Sequence, residues 1–462
     1  MIRRVWLRIT RFVPEGAALL SVLIFGSYLL GLVRDRTFAR TFGAGSELDA
    51  YNAAFVLPEL LLDVFVEAGL AAPFIPIFLR LRSQDGGEEG DRFARTILTG
   101  AVTVMGVAAI ILFMAADATT GFIAPGFQGE QRELYVSLFR VMLVTPILFA
   151  ASLTLGQVLL AEQRFFWYGV APLLYNAGII VGTVAFTGLG IFGPAIGAVI
   201  GAVLHLVSRF VGLRRSRFRI GLGASFRTSS VREFVRLMLP KMVSHPVEPV
   251  TFLFFTSVAT TLAAGSVTAV SFARNFQSVP VSVIGVAFAL AAFPGLSTAH
   301  ATGDRHGFLR LLHTNLISIA VITTGGAIVL AVLGELVIRI LFGGGAFDAA
   351  DIALTASVLT AFAISVPFES LTHLLSRAIY ATRHTLLQVL ASLAGLGIVV
   401  MATQLLLAPL GILAIPLGFG IGMAAKVVLL GLALAIRLRG FPGGNPSDSG
   451  ENRTLASADA ML

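Results

Sequence analysis

Residues 31–76 read GLVRDRTFARTFGAGSELDAYNAAFVLPELLLDVFVEAGLAAPFIP, and the placement of charge in this stretch decides the fold. Arg34, Asp35, Arg36, Arg40, Glu47 and Asp49 lie between two long apolar segments, around a Gly-Ala-Gly turn at Gly43–Gly45. Asp63 and Glu67 lie inside the second apolar segment. A charge facing hydrocarbon at that depth costs several kcal/mol, so these groups must face a partner or a wet interior. The rest of the chain reads as a scaffold around that interior.

Composition agrees. Of 462 residues, 56% are hydrophobic and 13% charged, about half the charged share of a soluble domain. The chain is an all-α polytopic membrane protein. It has no cysteine, which excludes disulfides, thiolate metal sites and cysteine nucleophiles. The net charge of +8 is carried at the ends of apolar runs. That is a topology signal rather than a nucleic-acid footprint, and no nucleic-acid partner is expected. Forty-eight glycines and 18 prolines imply close helix packing and bent helices. The first apolar run has no A-x-A end and runs into charges, so it reads as a span rather than a cleaved signal.

Twelve spans of about 20 residues each are expected near 16–33, 50–80, 95–117, 134–161, 165–188, 192–213, 233–262, 267–299, 308–341, 350–379, 385–407 and 410–436. Residues 1–14 carry Arg3, Arg4, Arg8 and Arg11 among apolar residues, as an amphipathic segment on the cytoplasmic surface does. Arginines follow the even-numbered spans at Arg80, Arg82, Arg92, Arg95, Arg164, Arg214–Arg219, Arg305, Arg310, Arg377, Arg383, Arg437 and Arg439. By the positive-inside rule both termini are cytoplasmic, in the inner membrane of a bacterial cell. The outer loop after the first span breaks the rule with Arg34, Arg36 and Arg40, which marks those arginines for function.

The halves look alike. Pro58 and Pro280 begin matching segments, LAAPFIP at Leu70–Pro76 is echoed by LAAFPG at Leu290–Gly295, and AEQR at Ala161–Arg164 by ATRH at Ala381–His384, each near an offset of 220 residues. Two six-helix bundles, 15–213 and 231–439, related by a pseudo-two-fold along the membrane normal are implied. Residues 214–230 are the cytoplasmic linker, and residues 440–462 a polar, disordered tail.

These features resemble the multidrug/oligosaccharidyl-lipid/polysaccharide (MOP) exporter superfamily, and within it the MurJ (MviN) lipid II flippases. GLVRDRTFARTFGAG is similar to that family's G-x-x-R-D-x-x-x-A-R-x-F-G-A-G signature, Leu48–Tyr51 to its T-D-A-F continuation, and Val64–Phe78 to its I-F-A-E-G-A-x-x-x-A-F-V-P segment. APGF at Ala124–Phe127, AGSV at Ala264–Val267 and the segment Val283–Ser297 match as well. The chain departs from the pattern at Tyr28 and Leu62, where the family carries arginines, and at Arg274-Asn275, where it carries Asp-Arg. Many members have two further C-terminal spans; twelve are counted here. The resemblance implies a flippase for a polyprenyl-diphosphate-linked glycan precursor, above all lipid II, working by alternating access in the bilayer beside cell-wall synthesis proteins. The alternatives are a cation-coupled multidrug exporter of the same fold and a non-transporting scaffold paralogue.

A flippase must carry a diphosphate through a low-dielectric interior, and arginine suits that task because it is always charged and forked. Arg34 is the first candidate, with Arg274 and Asn275 from the second half; a local salt bridge to Asp35 or Asp49 is the bland reading of Arg34. Asp35, Asp49 and Glu67 are candidates for an outer gate, or for permanent ion pairs. Arg36 and Arg40, four apart, share a helix face if the helix continues, and read as groups facing solvent or lipid headgroups. His245, followed by Pro246 and Pro249, marks a bent helix. No Walker motif, HExxH, nucleophile elbow or catalytic carboxylate pair occurs, so neither an enzyme nor a cofactor nor a metal site is expected.

Overall fold

In lipid, every backbone N–H and C=O must find its partner within the protein, and a helix does this within its own segment. The computed structural model describes residues 15–84, 87–244 and 247–440, with the backbone alone at residues 15, 17, 66–69, 71–72, 240–241 and 243–244. Described residues are almost wholly helical; their β pairing is one isolated bridge between Gly344 and Phe347. The amphipathic segment 1–14, the tail beyond 440, His245 and the side chain of Glu67 lie outside the described residues.

The order begins with α1 (Glu15–Phe42) and α2 (Ser46–Leu62), then a π-helical turn Asp63–Glu67, α3 (Ala68–Arg82), α4 (Glu88–Met114) and α5 (Ala116–Ile123). Next come α6 (Gly129–Met142), α7 (Val144–Ala161), α8 (Phe165–Ala185), α9 (Phe192–Leu213), α10 (Ser229–Ser244) and α11 (Val247–Thr260). The order ends with α12 (Ser266–Pro280), a second π turn Val281–Val286, α13 (Ala287–Ala301), α14 (Arg305–Leu341), α15 (Ala349–Ala363), α16 (Ser365–Ala381), α17 (Thr385–Leu410) and α18 (Ala414–Arg439). Every expected span falls on a helix or a bent helix pair. Eight stretches among the described residues are long and apolar enough to cross a bilayer, and a pair bent by 43°, α15 with α16, makes a ninth. One of the eight, Thr385–Arg439, holds 55 residues and folds back on itself, since Gly418 lies against Thr403 and Gly422 against Val399. The count of twelve rests on the sequence.

The internal repeat is written in the backbone. Both π turns follow a proline, Pro58 or Pro280. Positive φ recurs at Gly43 and Gly265, at Gly190 and Gly411, and at the only two such non-glycine residues among those described, Gln163 (58°) and Arg383 (63°). Each pair is 220 to 222 residues apart.

The chain divides into two compact units. The first comprises the described residues up to Ser271 with Ile338–Ala353, and the second Phe272–Val337 with the residues from Leu354 onward. In the first, α8 and α9 form a hairpin in which a Cβ on Gly178 or Gly182 would overlap the backbone of Gly201 or Gly197. Gly182→Leu is therefore expected to cost about 2 kcal/mol or more by overpacking. It should lower the thermal midpoint and the monodisperse yield, whereas Gly188→Ala, with nothing within 4 Å of the added Cβ, should change neither.

The linker is folded rather than loose. Phe218 is buried beside Phe93 and Phe234, Asp91 accepts from the Arg219 amide (3.2 Å), and Thr99 and Thr96 accept from the amides of Gly223 (2.9 Å) and Ser225 (3.3 Å). This fixes the N-terminal end of α4, the helix that packs on α3.

Candidate functional site

The first span does not end at residue 33 in a loop. Helix α1 continues to Phe42, so Arg34, Asp35, Arg36 and Arg40 project from one rigid element. Arg34 donates through Nε (3.0 Å) and Nη2 (2.8 Å) to one oxygen of Asp35 and through Nη1 (3.1 Å) to Asn176 Oδ1 on α8. Asn176 is oriented in turn by donating to Pro172 O (3.2 Å) and Ser27 Oγ (3.4 Å). The ring of Phe38, one turn along, lies 6.0 Å from the guanidinium carbon and edge-on to Tyr51. The Arg34 side chain keeps 27% of its surface accessible. Among the described residues three of its five N–H groups are engaged, which leaves two for an anion's oxygens.

In the second unit, Arg274 makes a forked pair with Glu369, from Nη1 to Oε2 (3.0 Å) and from Nη2 to Oε1 (2.7 Å). Gln277 accepts from Arg274 and donates to Glu369 Oε2 (2.7 Å) and Ser365 Oγ (3.2 Å). The Phe419 ring closes the other side at 5.2 Å. Both charged side chains are 8% exposed. A buried pair of this kind is expensive to break, because either member left alone is an uncompensated charge. Asn275, the next residue, is exposed; neighbours on a helix point about 100° apart, so the two candidates do not converge on one ligand.

Of the remaining gate candidates, the Glu67 side chain lies outside the described residues, and Asp49 meets backbone rather than arginine. Asp49 is 2% exposed, and its carboxylate accepts from the amides of Gly265 (2.7 Å) and Thr268 (2.8 Å) and from Thr268 Oγ1 (2.7 Å). It thereby caps the N-terminus of α12, where the helix dipole favours an anion. Asn52 adds a bond to Thr268 Oγ1 (3.3 Å). Arg36 is half-buried and Arg40 exposed, as the sequence reading has them, and both also bond to backbone carbonyls. Arg36 Nη1 donates to the last carbonyls of α14, Ile340 (3.0 Å) and Leu341 (2.8 Å), and Arg40 donates to Gly343 O (2.9 Å). The Ala346 amide returns a bond to Arg40 O (2.9 Å), and Asp351 accepts from the Ala44 amide (3.0 Å). Gly126, in APGF, has no room for a Cβ against the Thr260 carbonyl. Four loops assigned by sequence to the outer side, near residues 44, 126, 264 and 345, are thus latched together within the first unit.

Two polar residues escape a reading by charge alone. Asn176 carries no charge. Arg209 sits five residues before a basic run and blends into it, yet it is 1% exposed and donates to the Trp167 (2.7 Å) and Tyr168 (2.8 Å) carbonyls. The signal for it is Pro172, which has no N–H for the carbonyl four residues before it; Arg209 fills that vacancy and lies 4.9 Å from the Tyr168 ring.

A profile of the family described as Lipid II flippase MurJ matches residues 38–448. The chain belongs to that family. It is 30% identical over 374 residues to a probable lipid II flippase MurJ of Thermotoga maritima, covering 79% of this chain and 73% of the relative. It is 25% identical over 431 residues to a lipid II flippase MurJ of Burkholderia cenocepacia, covering 91% and 84%. Among solved structures, a lipid II flippase MurJ in an inward closed conformation superposes with a TM-score of 0.76 at 24% identity, over 90% of this chain and 87% of that one. An inward-facing multidrug transporter of the MATE family and MOP superfamily gives 0.76 at 16% identity, over 90% and 95%. The MOP exporter fold expected from the sequence is the fold found. Membership in MurJ makes this a multi-pass membrane transporter and not an enzyme.

Proposed function

We propose that the chain flips lipid II, a polyprenyl-diphosphate-linked precursor of peptidoglycan, across the bacterial inner membrane by alternating access between the bundles 15–213 and 231–439. The observation that carries this reading is Arg34: a guanidinium inside an apolar helix, held from two sides by Asp35 and Asn176, with two N–H groups left for phosphate oxygens. Arg274, neutralised by Glu369, supplies no free cation in this state and acts on the diphosphate only when that pair opens. The Asp49 and Asp351 contacts form the outer gate in its closed state, and Arg36 and Arg40 belong to the same gate.

The test is flipping of lipid II by the purified chain in proteoliposomes, read as headgroup accessibility on the far leaflet. Movement of lipid II at the rate of empty vesicles would remove the reading. Topology is a separate expectation: reporters fused after Arg219 and in the tail should both read as cytoplasmic, and a periplasmic signal from either would overturn the orientation and the parallel repeat with it.

A further inference from the structure

The segment between α9 and α10 reads RRSRFRIGLGASFR at residues 214–227, five arginines with no carboxylate among them. All five arginine side chains are exposed, and none is ion-paired among the described residues. Acids that touch the segment are engaged elsewhere or on its backbone. Glu162 pairs with Arg82 and Arg164 and accepts from Ser216 Oγ (2.6 Å), while Asp91 accepts from the Arg219 amide (3.2 Å). Apolar side chains sit between the charges. Phe218 is buried, but Ile220, Leu222 and Phe226 are exposed, Leu222 by 81%.

The segment runs along α4 toward the apolar part of that helix. Its amides meet Asp91 at Arg219, Thr99 at Gly223 (2.9 Å) and Thr96 at Ser225 (3.3 Å). Between Asp91 and Thr99 the helix rises about 12 Å, a distance that four extended residues just cover. Close approach at the tip requires Gly223, where a Cβ would lie 2.7 Å from the Thr96 nitrogen, and the Phe226 ring lies against Gly100. Beyond that point the outward face of α4 is apolar, with Val104, Val107 and Ile110 exposed. Thr99 is about 7.5 Å along the helix from Val104, close to the depth of a headgroup layer, roughly 5–8 Å. The tip therefore lies where headgroups give way to acyl chains, with Arg219 on the aqueous side of it.

We propose that residues 214–227 dock on the membrane surface: Ile220, Leu222 and Phe226 enter the edge of the acyl layer, and the arginines around them bind the headgroups of anionic phospholipids. Charge complementarity selects that partner. Five uncompensated guanidinium groups repel one another, and each can hold phosphate oxygens in a fork. A zwitterionic headgroup brings its own ammonium to the same place and relieves less of this repulsion. Apolar insertion beneath a basic rim is the means by which interfacial segments hold to a charged leaflet.

The chain has no cysteine, so Leu222→Cys and Glu88→Cys each place a single fluorescent label. Glu88 is exposed at the start of α4, about 16 Å before Thr99, and serves as the aqueous reference. The purified full-length variants are reconstituted in vesicles of phosphatidylcholine with a minority of phosphatidylglycerol, with bromine on the acyl chains of one lipid or the other. The Leu222 label is expected to be shielded from aqueous iodide, which quenches the Glu88 label freely. Brominated phosphatidylglycerol should quench it severalfold more per lipid than brominated phosphatidylcholine, since one arginine at an anionic surface is worth about fivefold. Arg217→Gln with Arg219→Gln and Arg227→Gln should bring the two lipids to equal quenching, and added salt should do so in part. Arg34→Ala should change neither reading, which separates docking from flipping. Iodide quenching at Leu222 as free as at Glu88, equal quenching by the two lipids in the otherwise unaltered chain, or an unchanged preference in the triple variant would each overturn the docking.

Discussion

Arg34→Ala is expected to abolish lipid II flipping while the protein still reaches the membrane, and Arg34→Lys to retain at most about one tenth of the activity. The structure sharpens the reason for the lysine effect. Arg34 satisfies Asp35 and Asn176 at the same time, from three separate nitrogens, and still presents two N–H groups. An ammonium has three donors at a single point and cannot span the two partners while also engaging two phosphate oxygens. If Arg34 served only to neutralise Asp35, lysine would substitute well and Arg34→Ala with Asp35→Asn would recover transport. Headgroup accessibility in proteoliposomes separates these outcomes, and full activity in Arg34→Ala would remove the residue from the mechanism. Asn176→Ala is the milder companion: it removes one bond from the charged guanidinium, about 1.5–3 kcal/mol, and should raise the lipid II concentration needed for half-maximal flipping more than it lowers the maximal rate.

Much of this was legible in the sequence because lipid restricts the alternatives. The helices at 165–185, 192–213 and 385–410 begin or end within a few residues of the apolar runs, since neither a charge nor a loop is tolerated between. The 220-residue repeat showed first in Pro58, Pro280 and the AEQR/ATRH tetrads and recurs in the positive φ of Gln163 and Arg383. Hydropathy could not see that α1 runs past Arg34 to Phe42, because a helix in a wet or protein-lined setting carries charges without breaking. Nor could charge counting find the partners. Asp49 is bound by amides of α12 and Arg36 by carbonyls of α14; backbone groups carry no residue identity, so the sequence pointed to side-chain ion pairs instead. Glu369 becomes the forked partner of Arg274 only when α16 is folded beside α12.

Disulfide closure of the outer latch should stop transport outright. A Cβ on Gly265 would lie 3.2 Å from the Ala44 Cβ, close to the 3.5–4.5 Å usual across a disulfide. The chain contains no other cysteine to compete. Gly265 has φ of +89° and a Cβ there would lie 2.3 Å from the Ala44 carbonyl oxygen, so the introduced side chain carries about 1–2 kcal/mol of conformational strain and is admitted only by a shift of the Ala44 loop. Ala44→Cys with Gly265→Cys is therefore expected to oxidise nearly completely and to reduce flipping to the level of empty vesicles, with recovery on reduction; each single variant should flip lipid II with or without oxidant. The size of the effect follows from what the bond would lock. Asp49 alone holds the start of α12 by three charge-assisted hydrogen bonds, each worth about 1.5–3 kcal/mol, and Arg36, Arg40 and Asp351 add four more contacts, which involve the end of α14, the loop that follows it and the first turn of α15. A gate that opens must release these groups to water or to the substrate's own charges within a turnover, so the latch is strong but reversible, and a covalent bond beside it removes the reversibility. Asp49→Ala should act in the opposite sense, leaving the α12 amides uncapped and raising the reactivity of a lone Ala44→Cys toward a membrane-impermeant maleimide. Undiminished flipping with the disulfide fully formed would show that these loops do not part during transport, and the Asp49 cap would then be a permanent brace rather than a gate.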